Sequence, residues 1–84
     1  MSTTVATILI SITVLNTAST PLVGAAVFCD AELNVTDSQG RIVFDVEPGR
    51  HWIRIHKDGY VDAEFEHVFT GERPDIVVRL RRIP

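Results

Sequence analysis

The sequence predicts an all-β fold, a single seven-stranded antiparallel β-sandwich. Three observations lead there. Ile8, Ile10, Ile12 and Val14 alternate with Leu9, Ser11, Thr13 and Leu15, the two-residue period of a half-buried strand. Turn residues return every ~8–12 positions, the rhythm of a sandwich or barrel. No stretch spaces its apolar residues for a helix.

The first strand is expected over about residues 7–15, and residues 16–21 turn the chain. The second and third are expected over 25–30 and 33–36. Asp37-Ser38-Gln39-Gly40 then makes a four-residue turn. An Asp at the first position can accept from the following N–H groups, and Gly takes the positive φ at the end. The fourth strand, 41–46, sets Ile42, Phe44 and Val46 on one face, and Glu47-Pro48-Gly49 turns again. The fifth, 51–56, points Ile53 and Ile55 inward and closes at Lys57-Asp58-Gly59. In the sixth, 60–69, Val61, Ala63 and Phe65 alternate with Asp62, Glu64 and Glu66, while Val68-Phe69 breaks the parity. That break predicts a bulge near His67. A polar loop over 70–75 leads to the seventh strand, 76–82, with Ile76, Val78 and Leu80 inward. The expected core contains Ile10, Ile12, Val27, Phe44, Ile53, Ile55, Val78 and Leu80.

A chain of 84 residues makes one domain, spanning 1–84 with its core over about 7–82. Hydrophobic residues make up 45%, enough for one core without disulfides. Net charge is −3, so no general attraction to nucleic acid is expected. All eight Lys and Arg residues lie between Arg41 and Arg82, among eight acids, which suits solvated faces and cross-strand pairs. The one cysteine, Cys29, follows Ala25 and Val27 on the inward phase and is expected to pack as a small hydrophobe.

Residues 5–15 are apolar-rich, but they lack a basic leader and are interrupted by Thr7, Ser11 and Thr13. They read as a strand, not as an export signal, and are too short to span a membrane. The expected location is therefore the cytoplasm of the producing cell, with no membrane partner. Asn34-Val35-Thr36 fits a glycosylation pattern that matters only in a secretory pathway.

No catalytic, cofactor or metal site is expected from the pattern. His51 and His56 are an odd number apart and point to opposite faces of a regular strand. No second Cys and no close His pair completes a metal site. Asp58, Asp62, Glu64 and Glu66 form an acidic run whose same-face neighbours lie ~7 Å apart. That is wide for shared calcium at ~2.4 Å per ligand, so the run reads as a solvated face. Its acids would pair with Arg79 and Arg81 if the last two strands were neighbours. The basic cluster Arg79-Leu80-Arg81-Arg82 lacks the aromatic platforms of a nucleic-acid site.

The surface is more informative. Alternation turns Trp52, Arg54 and His56 outward on the fifth strand, Val43 on the fourth and Val77 on the seventh. Leu9, Leu15 and Phe28 share outward phases. If Val43 and Val77 flank the fifth strand, these residues form one apolar patch with Trp52 as its anchor.

Pro21-Leu22-Val23-Gly24-Ala25-Ala26-Val27, then Thr36-Asp37-Ser38-Gln39-Gly40-Arg41-Ile42-Val43-Phe44, then Pro48-Gly49 and Gly59-Tyr60 resemble the carboxypeptidase regulatory-like domain. The resemblance covers roughly residues 7–81 and implies a transthyretin-like, immunoglobulin-like sandwich. Such domains usually serve as accessory modules attached to enzymes, transporters or surface proteins; this one is read as free-standing. It carries His51 where the family commonly has Tyr, two positions after the Pro-Gly turn. The transthyretin fold also includes hydrolases of 5-hydroxyisourate, with a His/Arg/His site and a terminal Tyr-Arg-Gly-Ser. This chain instead reads Leu80-Arg81-Arg82-Ile83-Pro84 there, so no such activity is expected. The expectation is a non-catalytic interaction module, a subunit or decoration of a larger assembly such as a phage virion. Its partners would be other protein subunits. The runner-up is a carbohydrate-binding module, with Trp52 and Tyr60 as stacking residues.

Overall fold

Alternation of burial governs the strands, and it follows the sequence closely. In a computed structural model, which describes residues 7–70 and 74–84, seven strands appear in order. They are β1 (Ile8–Asn16), β2 (Ala26–Cys29), β3 (Glu32–Val35), β4 (Arg41–Val46), β5 (Gly49–His56), β6 (Ala63–Phe69) and β7 (Asp75–Leu80). Val5, and residues 71–73 of the predicted polar loop, lie outside the described residues. No helix among the described residues is long and apolar enough to cross a membrane.

The strands form two sheets, three-stranded β4-β1-β7 and four-stranded β3-β2-β5-β6. All pairings are antiparallel except β1 with β7, which is parallel. The seven-stranded, mainly antiparallel sandwich thus carries one parallel pair. A parallel pair needs a long crossover, and here the first and last strands use the rest of the chain as theirs. The same order separates β6 from β7 into different sheets, so Arg79 and Arg81 do not pair with the acids of β6. On the neighbouring strand Arg50 pairs with Glu66 of β6, and Arg54 with Asp62 just before it.

Between the sheets lie Ile10, Ile12, Val14, Val27, Phe44, Ile53, Ile55, Phe69 and Leu80, all fully buried. Of the expected core only Val78 is less than fully buried, and it packs against the cluster from the β7 edge. Strand β6 corrects a second expectation. Its pairing with β5 runs without interruption from Gly49↔Phe69 to Ile55↔Ala63, so there is no bulge at His67. His67 keeps the inward phase, its ring 4.6 Å from that of Phe69, and Val68 faces solvent. The apparent parity break is Val68 alone, an apolar residue on the outward phase. The strand also begins later than residue 60: Tyr60 makes only an isolated bridge to Arg82.

Two connections fix one end of the sandwich. Asp37 Oδ1 accepts from Gln39 N at 2.8 Å and from Arg41 N at 3.0 Å. Those bonds, Arg41 N–H foremost, hold its carboxyl below the usual range. Gly40 takes φ +73° there, and a Cβ would lie 2.5 Å from the Val14 carbonyl oxygen. Beside it the buried Thr36 hydroxyl donates to Leu22 O at 2.6 Å and accepts from Ala25 N at 2.8 Å.

Candidate interaction face

Strand β5 is central to the site because it is an interior strand of the larger sheet, flanked by β2 and β6. Its even-numbered residues Arg50, Trp52, Arg54 and His56 all face outward. Cross-strand register then decides their company, since directly paired residues share a face. Arg54 sits between Phe28 and Glu64, and Leu33 lies beyond Phe28. His56 has Ala26 beside it and Val35 beyond. Trp52 faces Glu66 across the pair, while its indole N–H donates to Glu64 Oε1 at 3.1 Å.

The face thus has an apolar half and a charged half. Phe28 is half-buried, and Leu33, Val35 and Trp52 are exposed, Trp52 at 43%. Around Trp52 the charges are paired: Arg54 with Asp62 at 3.1 Å and Arg50 with Glu66 at 3.4 Å. His56 Nδ1 lies 2.6 Å from Asp62 Oδ1, and its Nε2 is 3.3 Å from Asp58. The Asp62 bond, reinforced by Asp58, raises the His56 pKa above 6.5. In return His56 and then Arg54 hold the Asp62 carboxyl below its ordinary range. Pairs this exposed add little stability; they fix the direction of the side chains around the indole.

The structure brings together Trp52, Arg54 and His56, as alternation predicts, but not Val43 and Val77. Those two lie on strands β4 and β7 of the other sheet, 49% and 50% exposed on the far side of the sandwich. They flank β1 and not β5, so they cannot extend a patch around Trp52. Leu33 and Val35 take that role, and periodicity alone passes over them. They alternate with Glu32 and Asn34 like core residues of an ordinary strand. Yet every residue of β3 is exposed: it is an edge strand, and register puts Leu33 and Val35 on the outer face beside Phe28 and Ala26. The order of strands in the sheet is the signal that finds them.

A second cluster sits at the end of the sandwich where β2 finishes. The buried Cys29 thiol, the Asp30 carboxylate and a His51 ring nitrogen all lie within 4.8 Å of one another. Burial, followed by the charges of Asp30 and Glu32, pushes the Cys29 thiol up to about 11, so it is not an activated nucleophile. His51 holds Asp30 Oδ2 at 2.6 Å and the Glu47 carbonyl at 2.6 Å.

No protein-family model and no curated protein matches this sequence. Solved structures do match its fold. Two chains from type II cohesin–X–dockerin complexes of Acetivibrio cellulolyticus are similar to it. One comes from a C-terminal interface mutant, with TM-score 0.64 at 21% identity. The other comes from an N-terminal interface mutant, with TM-score 0.62 at 22% identity. Each match covers 84% of this chain and 52% of the other, so the chain spans about half the length of the structures it matches. At that identity the likeness shows the β-sandwich fold.

Proposed function

We propose that the chain is a non-catalytic interaction module, docking into a larger protein assembly through the outer face of its four-stranded sheet. One observation carries this reading. An exposed indole lies on a face that also bears Phe28, Leu33 and Val35, with paired charges around it. Such a face has the apolar centre and polar rim of a contact surface, and Trp is enriched among anchor residues. The fold likeness supports it, because the similar chains come from protein–protein complexes. Membership of the carboxypeptidase regulatory-like domains is part of the proposal, supported by the sandwich and by the Asp37–Gly40 turn.

The finer setting proposed is a phage particle, with the chain made in the cytoplasm and carried as a capsid decoration, baseplate or fibre component. Its support is the use of immunoglobulin-like sandwiches in such particles, an argument from fold alone. A glycan is the weaker partner. Tyr60 packs against the core, with the Arg82 guanidinium 6.0 Å over its ring, so Trp52 would have to stack alone.

The test is Trp52→Ala, followed by native fractionation of the producing cells. The variant domain should stay folded and move from the assembly fraction to the free fraction, losing about 2 kcal/mol of association. A wild-type chain found only free, or a variant that assembles normally, would overturn the reading. Loss of glycan retention without a change in assembly would favour the carbohydrate alternative.

A further inference from the structure

We propose that Cys29, Asp30 and His51 form a three-ligand site for a divalent transition metal of the zinc class, at the sandwich end opposite the Gly40 turn. The backbone explains how two consecutive residues reach one site. In a regular strand Cys29 and Asp30 would point to opposite faces. Asp30 leaves the strand at φ +53°, a left-handed conformation uncommon for a residue other than glycine. There its Oδ2 approaches His51, while its Oδ1 accepts the Trp52 N–H at 3.0 Å and its own N–H donates to Trp52 O at 2.9 Å. The carboxylate is thus fixed on both sides of the ladder.

His51 is oriented from the other direction. Its Nε2–H donates to the Glu47 carbonyl, and its ring packs tilted on Phe69 with centroids 5.8 Å apart. A backbone carbonyl on one ring nitrogen is the usual way a ligating histidine is held, since it sets the tautomer and leaves the other lone pair for the metal. That other nitrogen, Nδ1, faces Asp30 Oδ2 at 2.6 Å. A neutral imidazole bonded to Glu47 would aim a lone pair at a carboxylate there. Only a second proton or a cation between the two atoms satisfies both. Cys29 Sγ stands within 4.8 Å of both groups and supplies the third donor.

The donor set chooses the metal. One nitrogen, one sulfur and one carboxylate oxygen suit zinc or cobalt, not calcium or magnesium. Tetrahedral bonds of ~2.0–2.3 Å place ligand atoms ~3.3–3.8 Å apart, so Oδ2 and Nδ1 separate slightly and Sγ closes in. Among the described residues, the surrounding pocket is lined by Glu32, Asp45 and Glu47, with Ala31 and Val46, besides the three ligands. Those acids favour divalent cations, and a solvent molecule would complete the four-coordinate set of the zinc class. The proton balance is explicit: the thiol and Nδ1–H each release a proton to solvent, and the sulfur and nitrogen lone pairs form the metal bonds.

Cobalt titration of the whole chain, under a non-coordinating phosphine reductant, tests the site. The expected result is one Co2+ per chain with a thiolate-to-cobalt absorption band that Zn2+ abolishes. Cys29→Val, which keeps a small apolar group in the core, should lose the band, and both it and His51→Gln should bind roughly a hundredfold more weakly or worse. Trp52→Ala should bind cobalt normally, which separates this site from the interaction face. Should the Cys29 variant fail to fold, proton NMR of the wild type decides instead: Zn2+ must shift the His51 ring signals and stop their titration. Absence of the thiolate band at saturating cobalt, equal binding by Cys29→Val, or a His51 ring indifferent to Zn2+ would overturn the proposal.

Discussion

The two ends of the sandwich close in opposite ways. At one end Val14 N donates to Gly40 O at 2.7 Å, Leu22 N donates to Val14 O at 2.9 Å, and the Thr36 hydroxyl ties Leu22 to Ala25. Those bonds join uncharged groups, most of them backbone. At the other end the seal is Cys29, Asp30 and His51, with the Glu47 carbonyl behind them. The difference teaches that the first end is held by turn and hydroxyl hydrogen bonds, and the second by titratable side chains set against one another. Changes at the first should therefore read out as stability, and changes at the second as chemistry.

The sharpest challenge to that contrast compares two glycines. Gly40→Val puts a β-branched residue at φ +73° with its Cβ against the Val14 carbonyl, and should cost about 3 kcal/mol or more. Gly49 has φ +128°, but nothing lies within 4 Å of its Cβ position, so Gly49→Val should cost about 1–2 kcal/mol from backbone strain alone. Denaturant midpoints measure both, and equal losses would erase the asymmetry of the ends. Thr36→Val comes next. It keeps the volume but strands Leu22 O and Ala25 N in a buried place, for an expected loss of about 2 kcal/mol in the same assay.

The smallest effect concerns the histidine on the exposed face. His56 has a folded pKa above 6.5, so its contribution is fully present below 6.5 and is lost as pH rises through the raised value. Asp62 has a folded pKa below 3.8, so its contribution is present above 3.8 and is lost as pH falls through the lowered value. The pair therefore acts most fully between about 3.8 and 6.5. Asp62→Asn should bring the His56 titration, followed by proton NMR, down toward 6.5 and leave that of His51 in place. A His56 pKa unmoved by the substitution would mean that the pair does not form in solution.

The Gly40 end was largely legible in the sequence and the Cys29 end was not, for a physical reason. Asp37-Ser38-Gln39-Gly40 names its turn through local chemistry, and Ile10, Ile12, Phe44, Ile53 and Ile55 name the core through a period of two. Cys29 and His51 are brought together by strand pairing and by one left-handed Asp30, neither of which leaves a periodic trace. The same limit explains the interaction face. The phase of Trp52, Arg54 and His56 is a property of one strand and can be counted. Their neighbours depend on which strands flank β5: the condition for Val43 and Val77 is not met, and Leu33 and Val35 stand there instead.

Hydroxyl-radical footprinting, free and in the native assembly, tests the central claim most directly, because it reports which sheet is covered. Trp52, Phe28 and Leu33 should oxidise readily in the free chain and be protected in the assembly, while Leu9 and Val77 on the opposite sheet oxidise equally in both. Protection of Leu9 and Val77 with Trp52 still reactive would place the contact on the wrong side of the sandwich and contradict the account.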